Sequence, residues 1–155
     1  MKNLNTKQKV FNAIIDKSTA FGKTDIVWTG YSYFVAGQYQ GKSKEIKVIG
    51  DKKGGGTSWL FMESLDVLDK FKKIIDTEIK YIHIKRNPFD MVAAYVKSSG
   101  LKWERAIALF DGLAQGTQRV INSIDQNSVY AVRHEDFLKT PAWYLIVLCK
   151  FLGVE

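Results

Sequence analysis

The sequence predicts an α/β protein with a mostly parallel, covered sheet, and two observations carry that reading. Stretches rich in β-branched and aromatic residues alternate with stretches of helical periodicity, and a strand, a tight turn and a helix follow one another twice in the same order. Ligands of such sheets bind at the carboxyl ends of the strands.

Taken in order, Lys9 to Ile15 can form a short amphipathic helix with Val10, Ile14 and Ile15 on one side. Residues Ile26 to Val35 suggest strands broken by Gly30 and closed by the turn-rich Gly37 to Gly41. Glu45 to Gly50 reads as a better strand, running into Asp51-Lys52-Lys53-Gly54-Gly55-Gly56-Thr57-Ser58. From Ser58 to Ile75 the apolar residues Leu60, Phe61, Leu65, Leu68, Phe71, Ile74 and Ile75 recur at helical spacing. Lys80 to Arg86 is a strand pattern, and Asn87-Pro88 opens a helix through Tyr95. Residues 101–124 predict a long helix and Ser128 to Arg133 a further strand. Pro141 to Leu152 predicts a last helix with Pro141 in its first turn and Gly153 at its end.

With 155 residues, the chain suits one domain, 1–155, with one core, and no repeat, low-complexity segment or Pro/Ser-rich linker divides it. The longest apolar run, Ala142 to Cys149, is far short of the roughly 20 residues of a membrane-spanning helix. Nothing near Met1 resembles a secretory signal, so a cytoplasmic placement is expected. The single cysteine, Cys149, excludes an internal disulfide and is expected in the core. Only two histidines, His83 and His134, are present, and no metal site is expected.

The formal charge of +7 is uneven: residues 1–120 hold 20 Lys/Arg against 12 Asp/Glu, and residues 121–155 hold 3 against 4. That balance suits an anionic partner. The lysines are spread without arginine clusters or interleaved aromatic platforms, which favours a solvated basic surface over a nucleic-acid groove.

Three segments have the chemistry of a phosphate loop. Ala36-Gly37-Gln38-Tyr39-Gln40-Gly41-Lys42-Ser43 comes close to a nucleoside-triphosphate loop, but Lys44 to Gly50 reads as a strand where that loop needs a helix. Gly50 to Ser58 fits better: glycines after a strand, Lys52 and Lys53 for charge, and a helix starting at Thr57 or Ser58. Arg86-Asn87-Pro88-Phe89-Asp90 puts a guanidinium at a strand end, where it can grip a phosphate with two parallel hydrogen bonds, while Pro88 and Asp90 start the helix. Each also has a plainer reading as a turn, a capped loop or an exposed arginine.

Together these segments resemble the sulfotransferases that use 3′-phosphoadenylyl sulfate. Ile82-His83-Ile84-Lys85-Arg86-Asn87-Pro88-Phe89-Asp90 looks like their Arg-Asn-Pro-x-Asp motif for the 3′-phosphate. Val48 to Gly55 is similar to a Gly-Asp-Lys-Lys-Gly-Gly stretch of many bacterial members, and Tyr31 to Gly41 looks like their aromatic-rich lead-in. Val132-Arg133-His134-Glu135-Asp136-Phe137, Pro141 and Phe151-Leu152-Gly153 are similar to the Arg-x-Glu-Asp-Leu, Pro and Phe-Leu-Gly series of the later strand and helix.

The resemblance runs from about Tyr31 onward. It implies a P-loop-like three-layer fold that moves a sulfuryl group from the nucleotide co-substrate to a hydroxyl or amine. Arg86 and Asn87 would bind the nucleotide, Lys52 or Lys53 would stabilise charge on the sulfuryl oxygens in transit, and no metal is demanded.

Two departures shape the expectation. No Pro-x-Ser-Gly-Thr-Thr type phosphosulfate loop precedes Tyr31, and Gly56 to Leu60, which imitates its ending, begins only 30 residues ahead of Arg86. Ala94 stands where the family usually has a serine or threonine whose hydroxyl also reaches the 3′-phosphate. The expectation is therefore an incomplete domain of poor activity on its own, with a non-catalytic anion-binding or assembly module as the alternative and a nucleoside-triphosphate protein as a third. The partners expected are the nucleotide donor and an acceptor that the sequence does not identify; a homo-oligomer is compatible with it.

Overall fold

The computed structural model describes residues 6–23, 27–28, 31–32, 45–50, 56, 59–60, 63–64 and 66–154. They belong to two compact units, Met1–Lys52 with Lys73–Asp76, and Lys53–Lys72 with Thr77–Glu155.

In the first unit α1 (Lys7–Lys23) extends well beyond the amphipathic segment. Thr6 caps it, its hydroxyl accepting the Lys9 N–H at 3.3 Å, and Gln8 donates to Asn12 one turn on at 2.8 Å. The Lys7 ammonium donates to the Asp76 carbonyl at 3.1 Å, and Asp76 has left-handed backbone at φ 43°. β1 (Val27–Trp28) and β2 (Tyr31–Ser32) pair antiparallel, Trp28 opposite Tyr31, in keeping with strands on either side of Gly30.

The strand expected at Glu45 to Gly50 does not form: these residues are bends and open chain, with Ile46 and Val48 exposed. β-branched residues favour a strand only where a neighbouring strand and a packed face receive them, and among the described residues none does. The continuous helix expected from Ser58 to Ile75 is also broken. Gly56, Trp59, Leu60 and Glu63 are helical, Ser64 is not, and α2 covers Asp66–Ile75. Serine and the acids Asp66 and Asp69 suit a fresh helix start, and Lys70 pairs with Asp66 at 2.6 Å.

The second unit holds β3 (Tyr81–Lys85), α3 (Pro88–Ser99), α4 (Trp103–Asn122), a 3₁₀ turn at Gln126–Ser128 and β4 (Val129–Arg133). Then come α5 (His134–Lys139) and α6 (Pro141–Leu152). β3 and β4 are parallel, in register from Tyr81 opposite Val129 to Lys85 opposite Arg133. Parallel neighbours need a crossover, supplied here by α3 and α4, which pack on each other. The arrangement is thus α/β, and among the described residues its parallel sheet is this one pair.

On one face of the pair, Tyr81 and Val129 pack against a core of Leu68, Val120 and Ile124. On the other, Tyr130 meets α6: its hydroxyl donates to the Tyr144 carbonyl at 3.2 Å and its ring lies 5.6 Å from that of Phe151. Ile82 and Ile84 on β3 remain 47% and 63% exposed, unlike the doubly covered strands that the pattern predicts.

Local chemistry sets the helix ends. Pro88 and Pro141 open α3 and α6, while Gly100 and Gly153 close them at φ 64° and 71°. The Val154 N–H reaches back to the Cys149 carbonyl at 3.0 Å, as a left-handed C-cap requires. Cys149 itself is exposed, against the expected core position. α6 is apolar around most of its circumference, so apolar neighbours in sequence do not imply burial: Trp143, Leu145 and Ile146 are exposed as well.

Candidate functional site

Because β3 and β4 are parallel and end together, the chain leaves both at the same edge of the sheet, through Arg86-Asn87 and His134-Glu135. Adjacent strands lie about 4.8 Å apart, so Lys85 and Arg133 end the two strands side by side, with Arg86 one residue further on.

Asn87 shapes the first exit. Its backbone (φ −52°, ψ 124°) is not helical, its side-chain oxygen accepts the Phe89 N–H at 2.9 Å, and its carbonyl accepts the Met91 N–H at 3.2 Å. Asn87 is thus the N-cap of α3, with Pro88 at the position whose missing N–H costs nothing. The remaining donor, the Asn87 backbone N–H, points to the second exit: it donates to Glu135 Oε1 at 2.7 Å.

Charges surround both exits. Arg86 Nε lies 4.0 Å from Asp90 Oδ2, one helical turn on. Arg133 Nε lies 3.9 Å from both Glu135 Oε2 and Asp136 Oδ2, and Lys139 Nζ reaches Asp136 Oδ1 at 2.9 Å. The Asn87 N–H, more than any other group, holds the Glu135 carboxyl below its usual pKa, with the Arg133 charge adding to it. The Lys139 hydrogen bond does the same for Asp136. Glu135 Oε2 is shielded from solvent, within ion-pair range of Arg133 but beyond a hydrogen bond.

The arginines of this edge are loosely held. The guanidinium contacts at 3.9–4.0 Å are loose and involve arginines that are 44% and 68% exposed at the side chain. Such pairs contribute about 0–1 kcal/mol, whereas a phosphate gripped by two parallel N–H bonds makes short, charge-assisted contacts. Set against this, Asp90, Glu135 and Asp136 offset much of the positive charge nearby.

Of the residues singled out from the sequence, Arg86 and Asn87 lie together at this edge. Lys52 and Lys53 lie outside the described residues, as does the segment Ala36 to Ser43. Of the stretch Gly50 to Ser58, only Gly50 and Gly56 are described. The run Val132 to Phe137 stands out in the sequence, but what Glu135 does is not legible there. The acid after a strand is visible, whereas its partner, a backbone N–H 48 residues earlier, carries no side-chain signature.

Among the described residues no group of three or more His, Cys, Asp or Glu is placed to hold a metal ion, and no helix is long and apolar enough to cross a membrane. No family model, curated protein or solved structure matches the chain.

Proposed function

We propose that the chain is part of a sulfotransferase domain of P-loop-like fold, and that the edge formed by the carboxyl ends of β3 and β4 receives the 3′-phosphate of 3′-phosphoadenylyl sulfate. The observation that carries the reading is Arg86 at the end of a parallel strand, beside a capped helix start and, among the described residues, in no more than a loose contact with Asp90. Arg86 grips the 3′-phosphate, and Asn87 sets the loop from which it does so. Lys52 or Lys53 stabilises charge on the sulfuryl group as it passes to a hydroxyl or amine, a reaction governed by positioning and by electrostatic stabilisation of the transferring oxygens.

Calorimetry with adenosine 3′,5′-bisphosphate and 5′-AMP tests the reading. The bisphosphate is expected to bind more tightly, and Arg86→Ala to remove most of the difference, at a cost of about 1.5–3 kcal/mol. Equal affinity of the unmutated chain for the two nucleotides would defeat it.

A second reading, a non-catalytic anion-binding module on the same fold, is favoured by one feature. Ala94, exposed on α3, has no hydroxyl to offer the phosphate. The two readings part on transfer from labelled donor to a hydroxyl acceptor, which the module does not perform.

A further inference from the structure

The backbone donors around the exit from β3 are few. Pro88 has none, the Phe89 N–H is taken by the Asn87 side chain, and the Asn87 N–H lies ahead of the first helical bond of α3. That last donor goes to a carboxylate on the neighbouring exit, in a contact as short as charge-assisted bonds become. We propose that Glu135 is the positioning residue of the nucleotide site: by accepting the Asn87 N–H at 2.7 Å it ties the loop Arg86-Asn87-Pro88 to the chain leaving β4 and holds Arg86 where the 3′-phosphate is met. The proposal rests on the reading of this edge as a nucleotide 3′-phosphate site.

Glu135 does not act as a ligand. A carboxylate repels a phosphate, and both oxygens already face donors of the chain, Oε1 the Asn87 N–H and Oε2 the Arg133 guanidinium at 3.9 Å. Its influence on the anion therefore has two parts of opposite sign. Its charge weakens anion binding, and its grip on the loop strengthens binding of the one phosphate that Arg86 reaches. The first part vanishes when the charge is removed, the second only when the acceptor is removed.

Glu135→Gln and Glu135→Ala separate them, because glutamine keeps a carbonyl oxygen within reach of the Asn87 N–H and alanine keeps nothing. In the full chain, the preference for adenosine 3′,5′-bisphosphate over 5′-AMP, measured by calorimetry, is expected to fall on the order of tenfold in Glu135→Ala and to survive in Glu135→Gln. In an Arg86→Ala background Glu135→Ala is expected to change the preference no further, since it acts through Arg86. Hydrogen exchange of the Asn87 amide gives a readout without ligand: protection is expected to persist in Glu135→Gln and to drop in Glu135→Ala.

A wild-type preference that survives Glu135→Ala, or affinities that rise equally in both variants, overturns the positioning role alone. So does an Asn87 amide as protected in Glu135→Ala as in the wild type. A wild-type chain that does not distinguish the nucleotides overturns the site reading and this proposal with it. Should Glu135→Ala not fold, Glu135→Asp takes its place, keeping the charge but withdrawing the acceptor by one methylene.

Discussion

Lys80 donates to the Phe151 carbonyl at 2.6 Å and lies 5.4 Å above the ring of the same residue, so one side chain just before β3 fastens the last turn of α6 across 71 positions of sequence. A cation at a helix C-terminus meets both the unpaired carbonyls and the negative end of the dipole. Its side chain is only 23% exposed, so water competes weakly for the bond. Lys80→Ala is expected to destabilise the fold by about 1.5–3 kcal/mol, read as a lower urea midpoint with an unchanged slope. Lys80→Met, which keeps most of the apolar stem, is expected to lose nearly as much. A variant that melts like the wild type would show that α6 is held without Lys80, by contacts such as those of Tyr130 with Tyr144 and Phe151.

Two tyrosines on the paired strands should respond oppositely to loss of their hydroxyls. Tyr130 donates to the Tyr144 carbonyl, whereas the Tyr81 hydroxyl is buried and, among the described residues, has no hydrogen-bond partner. Burial accordingly pushes the Tyr81 pKa up. Tyr130→Phe is expected to cost about 0.5–1.5 kcal/mol, and Tyr81→Phe to be neutral or stabilising by about 1 kcal/mol, because a buried polar group without a partner carries its desolvation cost uncompensated. Chemical denaturation of both variants decides the matter. A loss at Tyr81 equal to that at Tyr130 would reveal a bonded hydroxyl.

These contacts also show how far the sequence could be read. Local rules worked where punctuation is local: Asn87-Pro88 opens α3, Pro141 and Gly153 bound α6, and β-branched residues in 80–86 and 128–133 give β3 and β4. They failed where the decision is tertiary. Glu45 to Gly50 has strand composition but, among the described residues, no pairing strand, and Cys149 has apolar neighbours in sequence yet is exposed. The six-residue helix α5 follows β4 with neither glycine nor proline between them, and it was not foreseen. The site divides the same way. Arg86 and Asn87 were legible as a motif, while the bond from Asn87 to Glu135 depends on a parallel register that no local pattern encodes.

His83 gives the fold a pH dependence above the carboxylate range. Burial, then the neighbouring Lys85 charge, holds its pKa below the ordinary 6.5. Well above pH 6.5 the imidazole is neutral folded and unfolded and contributes nothing to the pH dependence. As pH falls through 6.5 towards the lower folded value, the unfolded chain takes up the proton first, so stability declines across that window. Glu135 and Asp136 are shifted down from 4.5 and 3.8, so their contributions are lost only at more acidic pH, as it falls through their folded values. Urea midpoints at about pH 7.5 and about pH 5.5 isolate the histidine. The wild type is expected to lose stability between them and His83→Gln to lose less. Parallel losses would remove His83 from the account.

Asp90 and Ala94 are spaced by four along one face of α3, and Arg86, just ahead of its N-cap, lies within 4.0 Å of Asp90 at the start of that face. A phosphate gripped by Arg86 would therefore lie near the row that Ala94 continues, and Ala94 is exposed. If the proposed site is correct, Ala94→Ser adds a donor there. Affinity for adenosine 3′,5′-bisphosphate is then expected to rise by about 0.5–1.5 kcal/mol, roughly two- to tenfold, with that for 5′-AMP unchanged. Serine inside a helix costs roughly 0.5 kcal/mol of stability, so a slightly lower melting temperature should accompany the gain. Ala93→Ser is the control: Ala93 is also exposed but lies about 100° around the helix, and serine there should cost the same stability without the affinity. A gain shared by both nucleotides, or matched by Ala93→Ser, would mean that the 3′-phosphate does not lie along this face.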